Sequence, residues 1–528
     1  MIWKIAQKEF LLNLISARFA VGFLLCLFLI PFTVTVNIDD YANRMRVYRA
    51  DRDNAERDLR EVRVYSELRP EVVKPPDALS IFCQGISGNV GNRVKIWLGE
   101  KPLFAAGNVT VRNNPLLNSF FSIDFIGIVA IVVSLLALIF TYDACTKEKE
   151  DGTLRLQLAN SLGRSDVLLG KLAGVCLTLL PIVVFCYLLS FLCVLMSEEI
   201  SFSAGEWGRI LLLFLTSLTY FLVFAFIGIL VSTRVKSSTT SIIVCLFLWV
   251  LFVFIIPNLA VYLAVSMKRI RSLDNLNYAL AELNSECWRK RNEYNAQLDP
   301  PDWGMNWNNS GGPDGRRIVG GCSKSKFERY LKEHEFSEPL RIDYADKKWP
   351  LQRAYLGELD DQRKLAERIA LVSPSETFRL VCRALCRTDV ASQHGFMDRV
   401  RRYREEVVGY FEDKKLFSSY LYFTPHPPET FKTPDEIVRI RTGGEYKTLR
   451  EYWASGSGFA GLRKVEIPES DPGSYPFLDV SDVPRFQWQS ADLMADVGSV
   501  ITKIGILVLA GVSLFCLSFV SFIRCDVR

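Results

Sequence analysis

Residues 172–196 read LAGVCLTLLPIVVFCYLLSFLCVLM, twenty-five positions without a single charge. At 1.5 Å per helical residue such a run extends about 37 Å, more than the roughly 30 Å of hydrocarbon in a bilayer. Pro181 falls inside it, as membrane helices tolerate better than soluble ones. Five more apolar runs stand out: 19–36, 120–142, 210–231, 241–265 and 500–522. The chain has 528 residues, a mean hydropathy of +0.16 and a charged fraction of 23%. That average conceals apolar runs alternating with segments as charged as a soluble domain. A soluble globular enzyme, a disordered chain and a fibrous protein are all excluded.

The expected fold is a polytopic α-helical membrane protein with six transmembrane helices. Its orientation follows from the short loops, because long segments translocate regardless of charge. The loop 143–171 carries Lys147, Lys149, Arg155, Arg164 and Lys171, and 232–240 carries Arg234 and Lys236. On the opposite side, 197–209 has Glu198, Glu199 and Glu206 against Arg209. The basic loops are therefore predicted to be cytoplasmic, and six crossings put both termini there too. Two long pieces, 37–119 and 266–499, are then extracytoplasmic.

These pieces read as an α+β domain. Residues 39–69 lack Gly and Pro and can extend the first helix outward. Ile270, Leu273, Leu276, Leu280, Leu283 and Cys287 form an amphipathic helical stripe, and a second runs through Leu351, Tyr355, Leu359, Leu365 and Ile369. Pro, Gly, Thr, Tyr and Val between Leu416 and Phe486 suggest short strands and turns. Net charge is +5 with no dense basic block, so no nucleic-acid partner is expected. Three scattered histidines argue against a metal site, and most of the 13 cysteines sit in apolar runs as small hydrophobes. Cys83, Cys287, Cys322, Cys382 and Cys386 fall in the extracytoplasmic pieces, with connectivity left open.

The segment richest in chemistry is 143–171, DACTKEKEDGTLRLQLANSLGRSDVLLGK. An acidic start leads into an apolar spacing punctuated by Gly152 and Gly163, a short amphipathic element able to dock on a cytoplasmic partner. At the N-terminus, Ile2, Trp3, Ala6, Phe10 and Leu14 form one stripe flanked by Lys4, Lys8 and Arg18, the pattern of an interfacial helix over 1–18.

Between the second and third of six helices, this segment resembles the coupling segment of ABC-2 type permeases, the membrane subunits of ATP-driven exporters. The matching positions are Glu148, Glu150, Gly152, Thr153, Leu154, Asn160, Arg164, Gly170 and Lys171, and residues 1–18 resemble the family's elbow helix. Ser373-Pro374-Ser375-Glu376-Thr377-Phe378-Arg379, Arg387-Thr388-Asp389, Phe396, Tyr403-Arg404 and Val483-Pro484-Arg485-Phe486 are similar to an extracytoplasmic domain, DUF3526, of some of these permeases. Arg387 stands where that domain often has Gly. The resemblance implies a cytoplasmic ABC ATPase dimer as partner, a second permease copy or related permease, and a bacterial plasma membrane location. It leaves open an extracytoplasmic protein partner.

No phosphate loop G-x-x-x-x-G-K-[ST] occurs in the chain, so ATP and Mg are expected in the partner ATPase and no cofactor in this chain. Two other functions compete with export of a lipid, lipopeptide or peptide. One is mechanotransmission to an envelope protein without transport, and the other a membrane-anchored scaffold. Asp124, at the outer end of the second apolar run, is either a pathway carboxylate or a hydrated cap. Arg399, Arg401, Arg402 and Arg404 read as a solvated helix face balanced by Glu405 and Glu406.

Overall fold

The computed structural model describes residues 2–87, 90–105, 124–153, 163–197, 200–299, 323–456, 476–488 and 493–524. An N-terminal helix α1 (Ile2–Ile15) turns at Ser16, whose side chain caps α2 by accepting from the Phe19 amide. Helix α2 (Ala17–Arg60) runs unbroken for 44 residues, about 66 Å, so it is far longer than the first apolar run. Its first half is apolar and its second half highly charged, and it leaves the bundle as one rod.

Among the described residues, five helices are long and apolar enough to cross a membrane: α2, α5 (Arg164–Leu195), α6 (Ala204–Arg234), α7 (Ser238–Met267) and the Val500–Ile523 stretch of the last helix, which spans Leu493–Ile523. The second apolar run behaves differently from the expected 120–142 span. It forms α3 (Phe125–Ile139), a shorter apolar helix that relaxes into a π-turn at Val129–Val133. A second π-turn interrupts α7 at Leu251–Ile255. A π-turn weakens the local i→i−4 ladder and exposes a carbonyl, which in an apolar bundle needs another donor. Both find one. The Tyr220 hydroxyl donates to the Ala130 carbonyl at 2.7 Å, and the Ser373 hydroxyl donates to the Phe252 carbonyl.

Ser373 belongs to the opening of α10 (Pro374–Leu385), an element that sequence reasoning assigned to the extracytoplasmic domain. Phe378, Val381, Cys382, Ala384, Leu385 and Cys386 are instead buried in the same apolar cluster as the spanning helices. Phe378 stacks on Tyr220 of α6 with ring centroids 4.4 Å apart. Helix α10 is thus a wedge lodged in the bundle above the shortened α3.

Most of the other described residues build a head domain at the end of the bundle where α2 emerges. Its core joins Leu59, Val62, Leu68 and Val94 from the first long piece to residues of the second. The latter come from α9 (Lys324–Ala370), α11 (Val390–Asp413) and the turns that follow. The two pieces share one core. The intervening helix α8 (Leu273–Gln297) packs along α9, with Tyr294 stacked on Phe336 and Arg291 paired to Glu333 at 2.6 Å. The expected stripe holds in part: Leu276, Leu280, Leu283 and Cys287 are half-buried, while Leu273 is exposed.

The expected strands between Leu416 and Phe486 are absent among the described residues. Short 3-10 turns, α12 (Pro434–Arg441) and α13 (Leu449–Ala454) stand there, the two helices opened by the capping boxes Thr433/Glu436 and Thr448/Glu451. The described β structure is one antiparallel pair, β1 (Glu71–Val73) with β2 (Arg93–Lys95). Nor is the arginine cluster of α11 wholly solvated. Arg404 is fully buried, donates to the Leu98 carbonyl and reaches Glu405 at 3.1 Å and Asp346 at 3.4 Å.

Candidate coupling site

At the end of the bundle away from the head, Tyr142–Gly152 folds back under the spanning helices as a short helix, α4 (Thr146–Glu150), closed by Gly152 at φ +69°. Glycine suits that left-handed C-terminal position because an L side chain there is strained. Three consecutive side chains of α4 leave in three directions.

Glu148 turns toward α5 and α1. Its carboxylate lies 2.9 Å from the Lys171 ammonium, which also meets Glu9 of α1 at 3.1 Å, while Lys8 stands 3.6 Å from Glu148. Lys171 is 2% exposed, so its charge is matched almost wholly by these two carboxylates. Lys149 reaches the C-terminus of α6 and donates to the carbonyls of Ser232 (3.2 Å), Thr233 (2.7 Å) and Val235 (3.2 Å). A cation there meets carbonyls that have no helical partner and the negative end of the helix dipole. Glu150 does the converse at the start of α7, accepting from the Ser238 amide at 2.9 Å and its hydroxyl at 2.6 Å. Those hydrogen bonds hold the Glu150 carboxyl below the usual carboxylate range.

Further bonds seat the segment. The Ser232 hydroxyl accepts from the amides of Cys145 (2.9 Å) and Thr146 (3.1 Å), and Ser241 donates to the Tyr142 carbonyl at 2.6 Å. Arg18 pairs with Asp143 at 2.7 Å. Helix α1 approaches α5 across glycines: a Cβ on Gly170 would lie 2.7 Å from Ile5 Cβ, and one on Gly174 would lie 2.5 Å from Glu9 Cβ. Helix α1 can therefore settle against α5 closely enough for Glu9 to reach Lys171.

The structure thus unites Glu148, Glu150, Gly152, Thr153, Gly170 and Lys171 at this end, with Thr153 donating to the Glu148 carbonyl at 3.4 Å. Arg164 opens α5 and donates to the Ile523 carbonyl at the end of the last helix, α14 (Leu493–Ile523). Leu154 and Asn160 lie outside the described residues. Sequence reasoning passed over Lys149, Glu9, Ser232 and Ser238. Asp124 is at the far end, where it caps α3 by accepting from the Gly127 amide at 2.6 Å and from the Gln84 amide at 3.1 Å.

A sequence profile of the family described as ABC-2 family transporter protein matches residues 3–527, essentially the whole length over which this arrangement extends. The chain belongs to the ABC-2 family. Over 127 residues, 24% of this chain, it is 32% identical to the probable ABC transporter permease protein NosY of Stutzerimonas stutzeri; the match spans 45% of that relative's length. As an ABC-2 type permease it is a multi-pass membrane protein, in keeping with its long apolar helices. The large lipid-like faces left exposed on α2 and α7, such as Phe28, Phe32, Phe247 and Tyr262, fit that environment.

Proposed function

We propose that this chain is the transmembrane subunit of an ATP-driven ABC-2 type exporter in a bacterial plasma membrane, engaged by a separate cytoplasmic ATPase dimer at residues 143–171. The observation that carries the reading is the divergence of Glu148, Lys149 and Glu150. A push on α4 is delivered at once to α1 and α5, to the end of α6 and to the start of α7. In this arrangement the termini are cytoplasmic, α3 completes six crossings with the five long helices, and the head is extracytoplasmic. ATP and Mg reside in the partner, and two copies of the permease, or this one with a related chain, face the two ATPase subunits. The substrate class is lipid, lipopeptide or peptide.

The α10 wedge supports a second reading. It fills the head side of the bundle and contacts α6, α7 and α14, so movement of those helices passes directly into the head. Nucleotide-driven mechanotransmission to an envelope protein needs that linkage and no passage through the protomer.

The test is purification of the tagged chain in mild detergent with its ATPase partner, followed by ATPase assays of wild type and Glu148→Ala/Glu150→Ala. Co-purification with ATPase activity that the double substitution uncouples is expected. A chain that purifies alone, or a double variant that behaves as wild type, would sink the coupling assignment.

A further inference from the structure

Three cysteines that the coupling role does not use meet at the end of the bundle nearest the head. Cys83 comes from the first long piece, Cys382 from α10, and Cys386 is the residue that closes that helix. All three are free thiols buried in one apolar cluster, at 3%, 0% and 0% exposure. A buried cysteine alone is an inert small side chain. Here the Cys83 and Cys386 thiols are hydrogen-bonded to each other, so two segments far apart in the chain bring their sulfurs together.

The backbone fixes that meeting. The Ile86 amide donates to the Thr388 carbonyl at 2.9 Å, and a Cβ on Gly85 would lie 2.3 Å from the same oxygen. The chain from Cys83 to Ile86 therefore runs tight against the turn after α10. On the other side, the Cys386 amide donates to the Cys382 carbonyl at 2.9 Å, which holds Cys386 at the end of the helix. Two further features suit the pair to oxidation. The Cys83 thiol donates to the Asp124 carboxylate, so its proton has an acceptor when the attacking thiolate forms. Cys386 also lines a cavity of about 360 Å³ where the bundle meets the head, which gives a disulfide reagent a route to its sulfur.

We propose that Cys83 and Cys386 form a disulfide that staples the first long piece to the α10 wedge, while Cys382 stays a free thiol. The oxidant is itself a disulfide, glutathione disulfide or that of an oxidoreductase. The Cys386 thiolate attacks one of its sulfurs and expels the other as a thiolate, which takes the Cys386 proton. The Cys83 thiolate, its proton passed to Asp124, then attacks the Cys386 sulfur of the mixed disulfide. The second thiolate leaves and recovers that proton, so two thiols are oxidised and one disulfide is reduced. The inference rests on the extracytoplasmic placement of the head, where disulfides persist. It asks nothing of the coupling segment or of the ATPase.

The experiment uses the full wild-type chain. Cells are quenched with N-ethylmaleimide in denaturant, and the chain is digested without reductant for mass spectrometry. Most chains should yield a peptide linking Cys83 to Cys386, with the maleimide on Cys382. A second sample, purified reduced in mild detergent, should acquire the same link from glutathione disulfide and lose it to dithiothreitol. The side of the head is read separately, from labelling of Ser285→Cys in α8 by a membrane-impermeant maleimide on spheroplasts, above the wild-type background. Unlinked Cys83 and Cys386 in cells whose head is labelled from outside overturn the proposal, as does a link from Cys83 to Cys382. If the head is not labelled, the extracytoplasmic reading fails and the glutathione-treated chain decides: a Cys83–Cys386 link upholds the pairing, and its absence overturns it.

Discussion

The Lys171 ammonium sits between the carboxylates of Glu148 and Glu9, 2.9 and 3.1 Å away, at a point where three separate helices meet. Removing the cation leaves two acids facing each other in a poorly hydrated place. Lys171→Met should destabilise the protein by about 3 kcal/mol. Glu148→Gln should cost less, about 1 kcal/mol, since Glu9 still compensates. Thermal denaturation in detergent checks the ranking, and Lys171→Met combined with Glu148→Gln and Glu9→Gln should recover part of the loss. A milder effect for Lys171→Met than for Glu148→Gln would contradict it.

The close approach of α1 to α5 predicts an overpacking effect. Gly174→Leu must push Glu9 aside, because even a Cβ would stand 2.5 Å from Glu9 Cβ. A loss of about 1–3 kcal/mol is expected. Hydrogen exchange in the amides of α1, residues 2–15, should accelerate in Gly174→Leu as α1 is pushed off α5. Protection there that matches wild type would show that α1 accommodates the larger side chain.

Phe378 ties the wedge to the bundle. It is fully buried against Tyr220, and Phe378→Ala should cost about 3 kcal/mol by leaving a cavity. Hydrogen exchange should report the loss first in the amides of 374–385. Protection there that matches wild type would mean that α10 is held by its N-terminal bond to Phe252 alone.

His334, half-buried in the head between Tyr422 and Phe423 with ring centroids 5.2 and 5.3 Å away, predicts a pH dependence. Burial pushes its imidazole below the ordinary value of 6.5, against the pull of Glu338 and Glu333. The unfolded chain therefore takes up the proton first. Stability from this site is full above pH about 6.5 and declines as pH falls below it. Hydrogen exchange across 324–345 should accelerate between pH 7 and 5 once corrected for intrinsic rates, and His334→Phe should flatten the trend. A slope unaffected by the substitution would assign it elsewhere.

The spanning helices were legible because hydrocarbon thickness dictates a minimum charge-free length, which is a local property of the chain. The α10 wedge was not, because Glu376, Arg379 and Arg383 make PSETFRLVCRAL look soluble. Its bundle-facing side appears only when Phe378, Val381, Cys382 and Leu385 are read as one stripe. That the described residues after Leu416 form no strand was a matter of unrecognised turn chemistry: Thr433-x-x-Glu436 and Thr448-x-x-Glu451 are helix starts written in the sequence. At the candidate coupling site, Glu148, Glu150 and Lys171 stood out by their pattern. Lys149 and its targets did not, since the free carbonyls of Ser232, Thr233 and Val235 exist only once α6 has ended there.

The unbroken length of α2 sets a mechanical scale. A rod of about 66 Å that tilts by about 5° at Ser16 carries its far end at Arg60 through about 6 Å. Because Leu59 and Val62 are embedded in the head's interior, that arc is the head's own displacement. A small angular change at Ser16 would thus be magnified into a stroke as long as a helical turn.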